Sequence, residues 1–195
     1  KKVTDKISGE IFKNYKVDKL IRSDDNIRVI IGNEYVDYDH VVLASHADQS
    51  LRMIEKPTEQ ERNILEKFNY VKNEAYLHTD ERLMPHKKRA WSSWNSVSNG
   101  EKTCITYWLN KLQNLDTSKD YFLTLNPICK INENFIIKKV NFTHPYLNSE
   151  NTVLQKDLRF IQGTKRTWFC GSYFGYGFHE DGLKSSIDLI NNFKI

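Results

Sequence analysis

The stretch from Trp168 to Leu183 carries the residue types and spacing that could do chemistry. Gly171, Gly175, Gly177 and Gly182 are four of the eight glycines in the chain. Glycine lets backbone approach a ligand closely and adopt positive φ. The apolar run Thr167–Cys170 reads as a strand leading into this turn. Beyond it a helix is expected from Asp181, and a helix start favours an anion such as phosphate. Tyr173, Phe174, Tyr176 and Phe178 interleave with the glycines and would pack a planar ring system. The spacing is not GxGxxG, so the pattern alone names no cofactor. It reads as readily as a strand-to-helix turn whose aromatics serve a core.

Other chemistry-bearing groups are weaker. Ser45-His46-x-Asp48 holds triad residue types, but triad members are brought together by folding rather than by adjacency. His78-Thr-Asp80 with His86 lacks metal-ligand spacing. His179-Glu180-Asp181 reads as a helix start whose acidic residues complement the dipole. Trp91, Trp94 and Trp108 read as core or pocket wall.

The chain has 195 residues, 39% hydrophobic and 28% charged, enough for one domain or two small lobes. Its net charge of +4 is spread along the sequence, so nucleic-acid binding is not expected, while a peripheral attraction to anionic lipid is allowed. Three dispersed cysteines form neither a disulfide framework nor a zinc site and fit a cytoplasmic protein. No apolar run reaches membrane-spanning length.

The elements that must position these residues follow from periodicity. Val17, Leu20-Ile21 and Ile27–Ile31 read as strand material, with a turn at Gly32-Asn33. Tyr38 to Ala44 reads as a buried strand. Thr58-x-x-Glu61 has capping-box spacing and opens a helix over 58–68. Strands are expected over 71–78, 102–108 (running into a short helix) and 135–142, and a polar loop over 148–152. The last helix places Leu183, Ile187 and Ile190 on one side.

The segment 168–183 resembles the C-terminal FAD motif of flavin-containing amine oxidoreductases. The chain is similar, more narrowly, to a subgroup described as predicted NAD/FAD-binding, amine-oxidase-like proteins. The matching stretches are Asp39–Gln49, Leu77–Asp80, Leu83–Pro85, Ala90–Asn95, Thr106–Asn110, Tyr121–Pro127 and 168–183, in order through most of the chain. The resemblance implies an α+β fold, a mixed or antiparallel sheet with helices. It implies a partial FAD-binding lobe over 1–50, a substrate-binding lobe over 51–163 and the C-terminal part of the FAD lobe over 164–195, with the two ends of the chain together. The N-terminal nucleotide fingerprint of such flavoproteins is missing: residues 1–50 hold only Gly9 and Gly32. The expectation is therefore a piece of a longer protein, or a partner of a separate N-terminal FAD-binding half.

Carried over residue by residue, the resemblance sets Val17 against the adenine and Ala44 and Ser45 beside the dinucleotide. Gly171 and Ser172 would lie by the isoalloxazine or ribityl. Gly177, Asp181, Gly182 and Leu183 would present the turn and the helix start to the cofactor. Lys72 falls where many amine oxidases hold a lysine near flavin N5. His179, after Phe178, falls where an aromatic cage faces the substrate; a histidine there departs from the usual tyrosine. The implied activity is hydride transfer to FAD from a small-molecule amine or an acyl lipid. The lipid enters because the subgroup often occurs fused to, or encoded beside, cyclopropane-fatty-acid-synthase-like methyltransferases. The alternative is a non-catalytic flavoprotein-derived module that docks a lipid or a lipid-modifying partner.

Overall fold

The computed structural model describes residues 4–146 and 148–193. The chain divides into two compact units, Lys1–Asn69 with Pro145–Ile195, and Tyr70–His144. Residues 51–69 and 145–163, placed in a substrate lobe from the sequence, thus fall within the first unit.

The first unit opens with an antiparallel meander of β1 (Lys19–Arg22), β2 (Ile27–Ile31) and β3 (Glu34–Tyr38). Leu20, Ile27 and Val29 are buried, as the period-two alternation of a strand requires. Ile31 pairs with Glu34 across a two-residue turn. Gly32 has φ +60° there, which hairpin geometry demands of its first central residue. The expected run Tyr38–Ala44 is not one strand. Tyr38 ends β3, and β4 (Val41–Leu43) begins after Asp39-His40, with Leu43 buried but Val42 47% exposed.

Helices α1 (Ala47–Met53) and α2 (Glu59–Leu65) follow. The capping box is formed: Thr58 Oγ accepts from Glu61 N–H (3.1 Å), and the Glu61 carboxylate accepts from Thr58 N–H (2.7 Å). The same carboxylate takes both ends of the Arg22 guanidinium, at 2.6 and 2.8 Å. Both side chains are buried. Arg22 donates further to the Lys56 carbonyl and to Thr167 Oγ. Burial alone would raise the Glu61 carboxyl; Arg22 and the Thr58 amide outweigh it and hold it below its ordinary value.

The second unit is a sheet of β5 (Tyr70–His78), β6 (Trp94–Ser98), β7 (Thr103–Trp108), β8 (Phe122–Leu125) and β9 (Ile136–Pro145), with the short α3 (Leu109–Gln113) after β7. Its strand order is β6-β7-β8-β5-β9, and the pairs β6–β7, β7–β8 and β5–β8 are antiparallel. The strand running into a short helix at 103–113 is the one expected. Met84, Trp91 and Phe122 form its buried cluster, with Trp108 packed against it.

The chain then returns to the first unit through α4 (Ser149–Asp157), β10 (Thr167–Phe169) and α5 (His179–Asn192). Helix α4 occupies the segment expected as a polar loop. Gln155 near its end donates to the Tyr173 and Gly175 carbonyls, tying the helix to the glycine turn. Strand β10 pairs in parallel with β4, Thr167 opposite Val41 and Phe169 opposite Leu43. Helix α5 packs through Ser185 and Leu189, while Leu183, Ile187 and Ile190 form an exposed stripe. Among the described residues no helix is long and apolar enough to cross a membrane.

Candidate functional site

The parallel pair sets the geometry. Strands β4 and β10 run the same way, so their carboxyl ends lie side by side, and ligands of parallel α/β sheets bind beyond such ends. Ala44 and Ser45 follow β4; Gly171 and Ser172 follow β10. A hydrogen bond from Cys170 N–H to the Leu43 carbonyl (3.1 Å) carries the pairing to the mouth of both loops. Gly171 has φ +152°, and a Cβ built on it would stand 3.6 Å from the Ser45 carbonyl and 2.9 Å from the Tyr173 ring. Only glycine fits there. Four of the residues singled out from the sequence are thereby brought to one edge.

Val17, Ala44 and Ser45 line one cleft of about 690 Å³, together with Leu20, Val29 and Tyr38. Val17 precedes β1 rather than lying inside it, although Asp18 N–H already bonds the Ile30 carbonyl. Ser45 Oγ is 2.8 Å from Ser50 Oγ of α1, which fixes the loop after β4.

The glycine turn is held from within. Ser185 Oγ accepts from Gly171 N–H (2.9 Å) and donates to the Gly182 carbonyl (2.8 Å). A Cβ on Gly182 would lie 3.7 Å from the Ser172 nitrogen, so α5 abuts the turn closely. The helix begins at His179, two residues before the expected start. Asp181 sits at its third position, and its carboxylate accepts from the amides of Tyr176 (3.0 Å) and Phe178 (2.9 Å). The amides of Asp181 and Gly182 turn back to the Phe178 carbonyl. The helix start is thus capped by a carboxylate of its own. A phosphate placed there would meet like charge, contrary to the expectation that this helix presents its amides to a pyrophosphate. Gly175 is required by the same cap, since a Cβ on it would come 2.3 Å from the Asp181 carboxylate. No signal in the sequence distinguishes a capping Asp181 from a ligand-facing one. Gly177 (φ +87°) allows the chain to turn before the helix, and Leu183 points outward, 56% exposed.

Lys72 is exposed on β5 in the second unit, and His179 is exposed at the start of α5 in the first. In the Ser45-His46-x-Asp48 group, Ser45 bonds Ser50 and Asp48 pairs with Arg52, so no nucleophile-to-base contact joins serine and histidine.

The His78-Thr79-Asp80 segment is structural. His78 is fully buried. Its Nδ1 accepts from Asp80 N–H (3.1 Å), which leaves Nε2 to donate to Thr124 Oγ (2.7 Å). Thr124 Oγ lies 2.8 Å from Thr106 Oγ, completing a buried polar ladder across three strands. The Arg82 guanidinium holds Asp80 well below the usual carboxylate range. Among the described residues no group of three metal-ligating side chains occurs. Burial pushes the His78 pKa down to about 4. The unfolded chain therefore binds this proton first on acidification, and the stability present above the ordinary histidine pKa is lost as pH falls toward 4. Between pH 7 and 5 the loss is expected to be about 2 kcal/mol, rising to about 3 at pH 4. Urea unfolding of the wild type and of His78→Gln at both pH values checks this. Equal losses in the two proteins would refute it.

No protein-family model matches the sequence, and no curated protein matches it. Solved structures do. A CLA-producing fatty acid isomerase from P. acnes superposes with a TM-score of 0.70 at 13% identity, over 99% of this chain and 50% of that one. Cyclohexylamine oxidase from Brevibacterium oxydans IH-35A gives 0.59 at 9%, over 91% and 48%. A putrescine oxidase redesigned in its cofactor binding gives 0.58 at 9%, over 97% and 51%. The chain spans about half the length of each of these proteins. What it shares with them is the fold: the α+β architecture with antiparallel sheets expected from the resemblance is the architecture of part of an amine-oxidase-like protein.

Proposed function

We propose that this chain is part of an FAD-dependent oxidoreductase of the flavin amine oxidase type. It supplies the substrate-binding lobe and one side of the cofactor site, and an N-terminal FAD-binding half completes that site. The observation that carries the reading is the parallel β4–β10 pair, with Gly171 set against the Ser45 carbonyl at its carboxyl edge.

The residues at this edge fit part of a dinucleotide. The cleft lined by Val17, Ala44 and Ser45 offers an apolar slot for a flat base. The bare Gly171–Ser172 backbone offers close approach for the ring or its ribityl chain. The carboxylate-capped start of α5 does not suit a phosphate, so the pyrophosphate belongs to the complementing half. FAD, when bound, supplies a two-electron acceptor for hydride from an organic substrate, an amine or an acyl lipid. The work of the protein is to position and to exclude water. Lys72 would hold a water by hydrogen bonding, and His179 with Phe178 would line the substrate side. The neighbours include two amine oxidases and one fatty acid isomerase, which supports both substrate classes.

Because the phosphate-binding part of the site lies elsewhere, the purified 195-residue chain is expected to lose FAD on gel filtration. Flavin absorbance co-eluting in a stoichiometric amount would overturn the half-site reading. Joined to its complementing half, the protein is expected to retain FAD and to bleach on anaerobic addition of substrate.

A further inference from the structure

The sheet of the second unit carries its polar side chains inward and its apolar ones outward. Asn95, Thr106, Thr124 and His78 are at most 6% exposed. They share the face of Phe122 and Trp108, against which Met84 and Trp91 pack. On the opposite face the registers set Trp94 beside Tyr107, Tyr107 beside Leu123, and Leu123 beside Leu77. A second row runs Ser96, Ile105, Leu125, Ala75. Trp94 is 64% and Ile105 37% exposed, with Tyr107, Leu77, Leu123 and Leu125 half-buried. The Trp94 and Tyr107 rings meet edge to face, 5.5 Å between centroids. Neither row contains Asp, Glu, Lys or Arg.

We propose that this face binds the acyl chain of a lipid, laid across the strands along the two rows. As a substrate surface this rests on the oxidoreductase reading. Shape and chemistry both favour such an occupant. Three strand spacings make each row about 14 Å long, and the rows stand about 7 Å apart. That track is on the order of 100 Å², far below the roughly 800 Å² per partner of a stable protein interface, but it matches a single extended chain. An ammonium group brought here would lose its hydration with no carboxylate in either row to replace it. Methylenes lose nothing by it and gain burial against Trp94, Ile105 and the leucines.

The test is a titration of the 195-residue chain with cis-parinaric acid, a fluorescent polyene fatty acid, below its critical micelle concentration. Saturable binding with quenching of tryptophan emission is expected, displaced by oleate and not by benzylamine. Trp94→Ala, at an exposed edge position, should weaken binding about tenfold. Ile105→Lys should abolish it, with circular dichroism unchanged in both variants. Absence of saturable binding, equal affinity in the variants, displacement by benzylamine, or self-association that Ile105→Lys abolishes would each overturn the proposal. Fatty-acid binding reads on the second unit and flavin binding on the first, so either reading can fail while the other stands.

Discussion

Replacing Glu61 with alanine is expected to cost about 3–5 kcal/mol of stability, the loss typical of breaking one side of a buried ion pair. The cost comes from what remains. Arg22 is held by both oxygens of Glu61, and its side chain is 3% exposed. Without the carboxylate it stays charged, buried and paired only with the Lys56 carbonyl and Thr167 hydroxyl. The Thr58 amide loses its partner in the same substitution. These contacts tie β1, α2 and the start of β10 together, so the site-bearing strand loosens with them. The paired replacement Arg22→Met with Glu61→Leu removes both charges and should recover most of the loss, since a buried ion pair contributes little net stability beyond its apolar counterpart. Urea denaturation of the single and double variants measures both quantities. A Glu61→Ala loss below about 1 kcal/mol would contradict the account.

Gly171→Val is the second large effect. A β-branched residue at φ +152° carries about 1–3 kcal/mol of backbone strain. Its Cβ would overlap the Tyr173 ring, which is itself 2% exposed and packed edge-on against Phe68. Overpacking of that kind adds about 1–3 kcal/mol. The Ser185–Gly171 hydrogen bond would have to lengthen to relieve the clash. Gly182→Ala, where the nearest atom stands at an ordinary 3.7 Å, is expected to be nearly neutral. Thermal unfolding of the two variants separates them. Similar melting temperatures would show that the turn tolerates a side chain and that its glycine is not required by the backbone.

The contrast between these two glycines shows what the sequence made legible. Clustered glycines after an apolar run marked the turn, and the short-range rules that read it also found the Thr58–Glu61 cap and the Gly32 hairpin. Interactions distant in sequence were not legible. Arg22 and Glu61 lie 39 positions apart, and nothing local announces that they are buried together. The parallel pairing of β4 with β10 needs residues over 120 apart to meet. It was anticipated only through the family resemblance, not through periodicity. Helix α5 shows a different limit. Its apolar stripe at 183, 187 and 190 was read correctly as one side, but Ser185 and Leu189 turn to the protein instead, because Ser185 is needed to hold Gly171. Asp181 illustrates a third: an acidic residue at a helix start caps the helix or faces a ligand, and only coordinates decide which. Helix α4 was missed because Asn148 to Thr152 is uniformly polar, and its side toward the glycine turn rests on Gln155 rather than on an apolar residue.

The central claim is that the carboxyl edge of β4 and β10 is one side of a flavin site. Amide chemical-shift mapping of the isotopically labelled chain during a millimolar FAD titration tests it most directly, since weak binding is expected from half a site. The account predicts concentration-dependent shifts at Val17, Ala44, Ser45, Gly171 and Ser172, diminished in Gly171→Val. Shifts confined to other surfaces, or none at saturating FAD, would contradict it.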